Sequence, residues 1–435
     1  ELADLRDPVR FFTEETWTAG VLGLGYVGLP LLLTASDAGL GGVGFDVSPA
    51  RVSALQQSHS MVDDVSDRQL REAVERGVIF TTDEHDLVRA DALFICVPSP
   101  LGRNRQPDLS YIEAVAGTIE RVARRGQLIV LESTTYPGTT EDILAPALRR
   151  AGHEMDNDVY LAFSPERVSP GDELKTAAIP KVVGGFSPLS GDVAEAAYRR
   201  LVPDIHRVSS ARAAEMTKLL ENTYRAVNIG LINELAQLAH ELDIDIWEVI
   251  DAASTKPFGF QPFYPGPGVG GHCIPLDPQY LAWRAREANF TTRFIDAAEQ
   301  VNSRMPMYNA DRVAGILNEQ GMPVQGTEIL AIGVSYKKDI ADDRESAALG
   351  VLDELKRRGA AISVLDPVVG SERISSLGYK PVEMGDSLDH CQMAVILTDH
   401  STIDYQLIVD AVPIIYDTRG VLRRLGIESS KVTTL

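Results

Sequence analysis

A glycine-rich stretch near the middle of the chain, GVGGHCIPLDP at residues 268–278, sets a cysteine one helical turn before an aspartate. The glycines permit a tight turn whose N–H groups face a ligand, and a helix is predicted from about Asp277 onward. The Cys273 thiol is therefore expected close to a helix N-terminus, a position that favours the nucleophilic thiolate. Asp277 is placed to bind or activate a water. Because adjacent side chains point apart, His272 is not assigned as a base for the cysteine.

Lys218 and Asn222 form a second candidate group, because they lie four residues apart on a predicted helix and project from one face. A lysine and an amide together can polarise a hydroxyl or stabilise an oxyanion, as alcohol oxidation requires. The flanking Leu219 and Leu220 argue for a buried face rather than a solvated one. A cysteine that captures the resulting aldehyde would hold it as a thiohemiacetal. A second hydride transfer would then give a thioester, and water would release a carboxylate.

The stretch VLGLGYVGLP, residues 21–30, predicts a dinucleotide site directly after a strand. Its G-x-G-x-x-G pattern is made of Gly23, Gly25 and Gly28. These permit the tight turn, the approach of a pyrophosphate and close helix packing. Asp46 ends the next predicted strand, where it can accept hydrogen bonds from a ribose and would repel a 2′-phosphate, so NAD is favoured over NADP. Arg51 tempers this preference, since a guanidinium can tolerate a phosphate.

Strand–helix alternation predicts the elements that position these residues. The strands of the first half are predicted at Ala19–Leu24, Val43–Asp46, Ile79–Thr82, Ala92–Val97, Leu128–Leu131 and Tyr160–Ser164. Helices are predicted at Ser66–Arg76, Tyr111–Arg125 and Thr139–Arg150. A smaller second α/β region has strands at Ile329–Val334, Ala361–Leu365, Met393–Leu397 and Ile414–Tyr416, with a helix at Ser346–Arg358. The fold class is therefore α/β, with two doubly wound domains and a helical connector.

The connector is dominated by one helix from about Ala211 to Leu242, which would run roughly 45 Å at 1.5 Å per residue. Its apolar residues recur at helical spacing. Such a helix suits a spine between domains or a subunit interface, and equally the core of a large domain. The predicted regions are 1–208 for the cofactor, 209–310 for the connector, dimerisation and cysteine loop, and 311–435 for the nucleotide sugar.

Composition bounds the function further. The 435 residues carry a net charge of −21, which disfavours binding to nucleic acid or an anionic membrane. The three cysteines are far apart and lack CxxC spacing, so neither a disulfide framework nor a metal site is predicted, and a reducing cytoplasm fits best. No signal peptide is recognised at the start. The uncharged run Thr16–Ser36 contains glycines and a proline, and favours a strand, a turn and a packed helix over a membrane span.

The chain resembles the UDP-glucose/GDP-mannose dehydrogenase family, whose members use NAD to oxidise C6 of a nucleotide sugar to a carboxylate. The resemblance spans nearly the whole length and rests on GLGYVGLP, FICVPSP, ESTTYPGTT, SPERVSPG, the helix with Lys218 and Asn222, PGPGVGGHCIPLDP and SYKKDIADDRES. It implies two Rossmann-like domains joined by a long central helix that forms a homodimer, with NAD as the cofactor.

The resemblance also implies roles by position. Cys273 matches the nucleophile, Lys218 and Asn222 the oxyanion-stabilising groups, and Asp277 the residue that assists water. Thr134 and Glu166 match positions that order the catalytic water or act as a base. Cofactor contacts are implied for Gly23, Gly25, Tyr26, Val27, Gly28, Asp46, Arg51, Val97, Pro98, Ser99, Ser133, Thr134 and Arg344. Substrate contacts are implied for Phe163, Glu166, Arg167, Val168, Lys218, Asn222, Arg225, Phe263, Tyr264, Gly270, Tyr336, Lys337 and Arg419.

One departure bears on the substrate. In the glucose-specific branch the SPE motif continues to a second glutamate, whereas Pro170 stands at that position here. The segment is similar to the branch acting on UDP-N-acetylglucosamine or UDP-N-acetylmannosamine, and UDP-glucose and dTDP-glucose stay open. A two-electron hydroxy-acid-type dehydrogenase and a non-catalytic nucleotide-sugar-binding protein are the alternatives. An epimerase is disfavoured, because no tyrosine has a lysine four residues on.

Overall fold

The structure is a computed structural model that describes residues 7–62, 64–102, 106–167, 179–271 and 273–435. The chain forms two compact units. The first comprises the chain up to Glu221 together with Gln279–Asn289, and the second comprises Asn222–Pro278 together with Phe290–Leu435. Within the described ranges, no helix combines the length and apolar character needed to cross a lipid bilayer.

The first unit contains an eight-stranded sheet. Its strands are β1 Thr18–Leu22, β2 Gly41–Phe45, β3 Ile79–Thr81, β4 Ala92–Ile95, β5 Leu128–Leu131, β6 Tyr160–Phe163, β7 Lys181–Gly185 and β8 Ile205–Val208. The order is β3-β2-β1-β4-β5-β6-β7-β8, and every neighbouring pair is parallel except β6 and β7. The order of the first six is the Rossmann order, in which the strand order switches from one side of β1 to the other, so that the topological switch point lies between β1 and β4.

Helices cover both faces of this sheet. They are α1 Pro8–Glu14, α2 Gly28–Asp37, α3 Pro49–Gln56, α4 Asp67–Glu75, α5 Ser110–Val122, α6 Ala145–Arg150 and α7 Pro188–Tyr198, with a short 3₁₀ helix at Glu84–Arg89 and a π-helical turn at Thr140–Leu144. Successive strand residues enter opposite cores: Leu93 and Ile95 pack on one face and Phe94 on the other. The run Thr16–Ser36 forms β1, a turn and most of α2, as predicted.

The next helices are α8 Ala211–Glu241, α9 Ile246–Ser254, α10 Asp277–Glu287 and α11 Arg293–Glu319. α8 has 31 residues, as the sequence predicted to within one position, and the boundary between the units falls inside it. The expectation that Leu220 is buried with its neighbour is wrong. Leu219 is fully buried, whereas Leu220 is 58% exposed, because consecutive residues lie about 100° apart around a helix.

The second unit contains a six-stranded, fully parallel sheet. Its strands are β9 Glu328–Ile332, β10 Ala361–Leu365, β11 Lys380–Val382, β12 Met393–Ile396, β13 Ile415–Asp417 and β14 Val432–Thr434, in the order β11-β10-β9-β12-β13-β14. Helices α12 Ala347–Arg357, α13 Ser371–Ser376, α14 Tyr405–Ala411 and α15 Val421–Arg424 accompany them. This is the same strand order as in the first unit, so the prediction of two Rossmann-like sheets is confirmed.

Some elements were not predicted. Strands β7 and β8 were missed, and so was the antiparallel pairing of β6 with β7. Helix α11 was missed as well, and it contains Pro306, a residue that argues against a helix interior. This helix packs against α8: a Cβ added at Gly230 of α8 would lie 3.0 Å from the Cα of Ala298, so the two helices approach closely within the second unit.

Candidate active site

The turn between β1 and α2 has the shape expected for a pyrophosphate site. A Cβ at Gly23 would lie 2.5 Å from a main-chain oxygen of the neighbouring strand end, and one at Gly28 would lie 2.0 Å from the Gly23 oxygen. Neither position therefore has room for a side chain. A Cβ at Gly25 would meet no atom within 4 Å, so this face of the turn is open to a ligand. Tyr26 and Val27 complete the turn; Tyr26 is exposed, and the Val27 side chain does not cap α2.

Asp46 directly follows β2, beside the end of β1. Its carboxylate accepts hydrogen bonds from the N–H groups of Leu24 and Ser48, both at 2.9 Å, and lies 2.8 Å from Nη1 of Arg51. The carboxylate is buried while the Arg51 side chain is 39% exposed. Asp46 thus offers a fixed acceptor for ribose hydroxyls, and its pairing with Arg51 occupies the guanidinium that would otherwise attract a 2′-phosphate.

The ends of β4 and β5 carry the other predicted cofactor residues of the first unit. Ser133 donates its hydroxyl to the Val97 carbonyl oxygen at 2.8 Å, which ties the two strand ends together. Pro98 is exposed, while Ser99 and Thr134 are half-buried. Because ligands bind at the carboxyl edge of a doubly wound sheet where the strand order reverses, these residues and the glycine turn fit NAD.

Glu166 follows β6 and is held at three points within the first unit. Its Oε1 accepts a hydrogen bond from the Arg167 N–H at 2.7 Å, and its Oε2 lies 3.3 Å from Nζ of Lys181. Its main-chain oxygen accepts a hydrogen bond from Nζ of Lys218 at 2.6 Å. Lys218 is itself a predicted catalytic residue and is 91% buried. Its ammonium is therefore anchored by the segment that carries Glu166, a second predicted catalytic residue.

The neighbouring predicted substrate residues differ in what they can offer. The Arg167 guanidinium is paired with Glu221 at 2.6 Å and also donates to the Pro180 carbonyl oxygen, so its charge is already neutralised. The Phe163 side chain lies in the hydrophobic core and is fully buried. Any contact between this residue and a ligand would therefore come from its main chain. Val168 lies outside the described residues.

Cys273 and Asp277 lie at the start of α10, in the second unit. The Cys273 carbonyl oxygen accepts hydrogen bonds from the N–H groups of Leu276 and Asp277, at 3.2 and 2.9 Å, so the cysteine sits in the turn that opens the helix. Asn222 donates its amide to Asp277 Oδ2 at 2.5 Å, and both side chains are more than 90% buried. Lys218 precedes Asn222 by one turn of α8, so one helix face carries both predicted oxyanion-stabilising groups.

The glycines before Cys273 make room for a second loop. A Cβ at Gly270 would lie 3.1 Å from the Tyr336 Cβ, and one at Gly271 would lie 2.9 Å from the Tyr336 ring. A Cβ at Gly268 would lie 2.9 Å from the Ala347 Cβ. Gly268 and Gly271 also have φ of 139° and 87°, which favour glycine. The glycine run therefore allows the cysteine loop to pack closely on the 336–347 loop, which the sequence did not suggest.

Two buried asparagines, which the sequence analysis missed, fix the start of the cysteine loop. Asn233 of α8 accepts a hydrogen bond from the Gly266 N–H at 3.0 Å and donates to Asn302 of α11, also at 3.0 Å. Asn302 in turn donates to the Ala226 carbonyl oxygen. A Cβ at Gly266 would lie 2.5 Å from the Arg419 guanidinium, so this predicted substrate residue packs on the same loop.

The loop that follows β9 carries Tyr336 and Lys337 and is held from beneath by His400. The fully buried imidazole accepts a hydrogen bond at Nδ1 from the Asp339 N–H at 3.0 Å, and its Nε2 lies 3.2 Å from both Ser335 Oγ and Asp366. Burial alone would raise the pKa of Asp366, but hydrogen bonds from His400 and main-chain N–H groups lower it to about 2. The Asp366 carboxylate and the His400 imidazole together fix the loop.

The remaining predicted substrate residues of the second unit differ in exposure. Tyr264 is 46% exposed and stacks on Trp247, with ring centroids 5.9 Å apart. Phe263 is half-buried, and Arg225 is exposed on α8. Arg344, predicted to contact the cofactor, also belongs to this unit and forms a two-point ion pair with Asp342, at 2.9 and 2.7 Å.

Beneath the predicted residues of the first unit lie buried charges that the sequence analysis missed. Lys181 pairs with Glu132 at 2.8 Å, and Glu215 accepts hydrogen bonds from the Thr140 N–H and hydroxyl. Glu132 opens the ESTT motif, so a functional acid could have been suspected there. Lys181 and Glu215 gave no local signal, because their partners lie far away along the chain.

The chain matches all three parts of one family. The NAD binding domain of the UDP-glucose/GDP-mannose dehydrogenase family matches residues 18–202, the central domain residues 212–304 and the UDP binding domain residues 330–424. These matches cover most of both Rossmann-like sheets, except β8 and β14 at their edges, and most of the region of α8 to α11, which carries the cysteine loop.

Related proteins agree with this assignment. The chain is 33% identical to Protein CapL of Staphylococcus aureus over 92% of this chain and 95% of that protein. It is 34% identical to UDP-N-acetyl-D-glucosamine 6-dehydrogenase of Pseudomonas aeruginosa, over 83% and 86%. The solved structure of UDP-D-ManNAc dehydrogenase from Pyrococcus horikoshii superposes with a TM-score of 0.84 at 31% identity, over 96% and 98%. The chain therefore belongs to the UDP-glucose/GDP-mannose dehydrogenase family and is an NAD-dependent nucleotide-sugar dehydrogenase.

Proposed function

We propose that the protein oxidises C6 of a UDP-linked 2-acetamido hexose to the uronic acid in two NAD-dependent steps, with Cys273 holding the intermediate. NAD, when bound, accepts a hydride in each step. The observation that carries the proposal lies in the second unit: the buried Asn222 amide donates to Asp277, and the Asp277 N–H donates to the main-chain oxygen of Cys273. Within the first unit, the buried Lys218 ammonium donates to the main-chain oxygen of Glu166.

In the first oxidation, the residues of α8 act on the C6 hydroxyl. The Lys218 ammonium and the Asn222 amide are donors, and both are buried, so their attraction for a developing alkoxide is weakly screened. The alcohol loses a hydride and a proton to give the aldehyde. The Cys273 sulfur then adds to the aldehyde carbon while the oxygen gains a proton, which forms the thiohemiacetal.

In the second oxidation the thiohemiacetal loses a hydride from C6 and a proton from its hydroxyl, and becomes a thioester. Hydrolysis follows: the oxygen of water adds to the carbonyl carbon, the water proton passes to Glu166, and the C–S bond breaks to release the uronic acid and the Cys273 thiolate. Asp277 and Thr134 are assigned to holding this water. Asp277 suits that role because Asn222 fixes one of its oxygens and leaves the carboxylate oriented.

The 2-acetamido preference is supported by two observations. Relatives with 34% identity include UDP-N-acetyl-D-glucosamine 6-dehydrogenase and UDP-N-acetyl-D-mannosamine dehydrogenase. The segment after Glu166 also has proline at residue 170, where the glucose-specific pattern has a second acid. Both observations favour the acetamido sugars over UDP-glucose. Lys337, Arg419 and the exposed Arg225 are assigned to binding the diphosphate and nucleobase of the substrate. They supply the local positive charge that an anionic ligand needs, because the chain as a whole is acidic.

The protein is also proposed to act as a homodimer in the cytoplasm, with α8 at the interface. Exposed leucines recur along this helix at Leu220, Leu231, Leu235 and Leu238, and Leu242 follows directly after it; each is 40–58% exposed. At about 100° per residue they fall within roughly 60° of arc, whereas Lys218 and Asn222 project from the opposite side. An apolar stripe of this length is unusual on a monomer surface. The double substitution L231E/L238E is expected to convert a dimer to a 47.3 kDa monomer in light scattering, whereas L407E is expected not to.

The first test measures the yield of NADH with limiting nucleotide sugar and excess NAD. UDP-N-acetylglucosamine, UDP-N-acetylmannosamine, UDP-glucose, dTDP-glucose and GDP-mannose would be run in parallel. We expect about two NADH per sugar with one of the two acetamido sugars. Cys273→Ala is expected to abolish uronic acid formation, while Cys391→Ala, which changes a buried cysteine of the same unit, serves as the matched control.

Other outcomes identify the alternatives. One NADH per sugar, unaffected by Cys273→Ala, would mean a two-electron alcohol dehydrogenase. No NADH with any of the five sugars, despite tight nucleotide-sugar binding, would mean a binding protein. Two NADH with UDP-glucose as the fastest substrate would retain the mechanism and refute the acetamido preference.

A further inference from the structure

Lys181, at the first position of β7, joins two carboxylates of the first unit. Its Nζ lies 2.8 Å from Oε2 of Glu132 and 3.3 Å from Oε2 of Glu166, and the side chain is only 10% exposed. The ammonium also lies 5.5 Å from the centre of the Tyr198 ring. A buried lysine that pairs with two acids is costly to desolvate, so its retention here calls for a reason.

Glu132 is the deeper of the two acids. Its side chain is fully buried, Oε2 pairs with Lys181, and Oε1 accepts a hydrogen bond from the Tyr198 hydroxyl. Burial raises the pKa of Glu132, although the adjacent Lys181 offsets part of this effect. Burial alone would lower the pKa of Lys181, but the carboxylates of Glu132 and Glu166 raise it above its usual value. Lys181 is therefore held as a cation in a fixed place.

Glu166 is the shallower acid, and its side chain is 23% exposed. Lys181 holds Oε2, and the Arg167 N–H holds Oε1. The other charges nearby are engaged elsewhere: Nζ of Lys218 binds the main-chain oxygen of Glu166, and the Arg167 guanidinium binds Glu221. Lys181 thus bonds the Glu166 carboxylate itself.

We infer that Lys181 is a positioning residue that keeps the Glu166 carboxylate ionised and aimed, with Glu132 as the buried anchor that fixes Lys181. The inference rests on the proposed function, which assigns Glu166 to accept the proton of the hydrolytic water. Lys181 touches neither the water nor the sugar in this scheme. Its effect passes through the charge and orientation of Glu166. Among the described residues, the ionisable groups that lie beside this carboxylate or bond to its neighbours include Lys181, Glu132, Cys96, Lys218, Arg167 and Glu221.

The informative variant is the double substitution E132Q/K181M. Lys181→Met alone leaves Glu132 buried without its cation, which is expected to destabilise the fold. The double variant removes both charges of the buried pair and leaves only Glu166 without its partner. We expect it to keep NAD binding and cooperative thermal unfolding. We expect kcat to fall between about 10- and 100-fold, and the acid limb of the kcat–pH profile to move up by about one pH unit, because a nearby cation favours the ionised carboxylate.

Two further variants control this result. Lys181→Arg keeps the charge and is expected to retain the wild-type acid limb. Glu132→Gln keeps Lys181 beside Glu166 and is expected not to move the acid limb upward; an upward shift equal to that of the double variant would overturn the inference. So would a folded double variant with the wild-type pH profile. Failure of the proposed function is separate, since wild-type enzyme would then not yield two NADH per sugar.

Discussion

The buried carboxyl group of Glu215 is expected to make the free energy of unfolding of the first unit depend on pH. It lies on α8, is fully buried, and accepts hydrogen bonds from the N–H of Gly138, from the N–H of Thr140 at 2.9 Å and from the Thr140 hydroxyl at 2.7 Å. Burial raises the pKa of Glu215 to about 7, although these donors offset part of the effect. These contacts tie α8 to the segment that follows Thr134, so the charge of Glu215 bears on the first unit as a whole.

The sign follows from proton binding. Below the unfolded pKa of 4.5 both states are protonated, and Glu215 makes no pH-dependent contribution. Between 4.5 and about 7 the unfolded state is ionised while the folded state keeps its proton, so the free energy of unfolding falls as the pH rises. The total fall is about 3.4 kcal/mol, of which about 2.5 kcal/mol lies between pH 5 and 8.

Glu215→Gln removes this contribution, because an amide does not ionise. The missing acceptor makes a pH-independent contribution that lowers the variant's free energy of unfolding by about 1 kcal/mol, since one end of an amide cannot accept a hydrogen bond. Relative to the wild type, its free energy of unfolding should rise by about 2.5 kcal/mol between pH 5 and 8. Urea unfolding followed by tryptophan fluorescence in a Trp247→Phe background would report on the first unit through Trp17 and Trp283.

The comparison between variant and wild type cancels the titration of all other groups. A difference in unfolding free energy that stays constant from pH 5 to 8 would refute the reasoning. It would mean that the three donors keep Glu215 ionised throughout, so that hydrogen bonding outweighs desolvation at this site.

Three further predictions concern the cofactor and the water. Gly25→Ala should fold normally but bind NAD at least about 10-fold more weakly in a titration, because its Cβ occupies the open face of the turn. Gly28→Ala should lower the free energy of unfolding by about 2 kcal/mol, because its Cβ would lie 2.0 Å from a carbonyl oxygen. Equal stability of the two variants would contradict this prediction. Asp46→Ser should release Arg51 and lower the kcat/KM preference for NAD over NADP by about 10-fold or more, and an unchanged ratio would exclude Asp46 as the discriminator. Asp277→Asn should give a burst of two NADH per active site in stopped flow and then turn over about 100-fold more slowly, and loss of the burst itself would place Asp277 before hydrolysis.

Local sequence patterns were sufficient to predict the features that depend on short-range geometry. Alternating strands and helices indicated both Rossmann-like sheets, since each element is encoded by local periodicity. The glycine turn after β1 and the helix that opens at Asp277 were predicted for the same reason. The four-residue spacing of Lys218 and Asn222 placed them on one helix face. In each case the partners lie within a few residues, so the pattern contains the geometry.

Contacts between residues far apart along the chain could be identified only from the folded structure. Lys181 lies 49 residues from Glu132, and Glu215 lies 75 residues from Thr140, so no local pattern could pair them. The same holds for the glycines before Cys273, which the sequence assigned to a ligand-facing turn and which the fold uses to admit Tyr336. Leu220 and Leu219 are adjacent in sequence and opposite in burial. Burial and long-range pairing depend on how whole elements pack, because desolvation and close contact are properties of the assembled core.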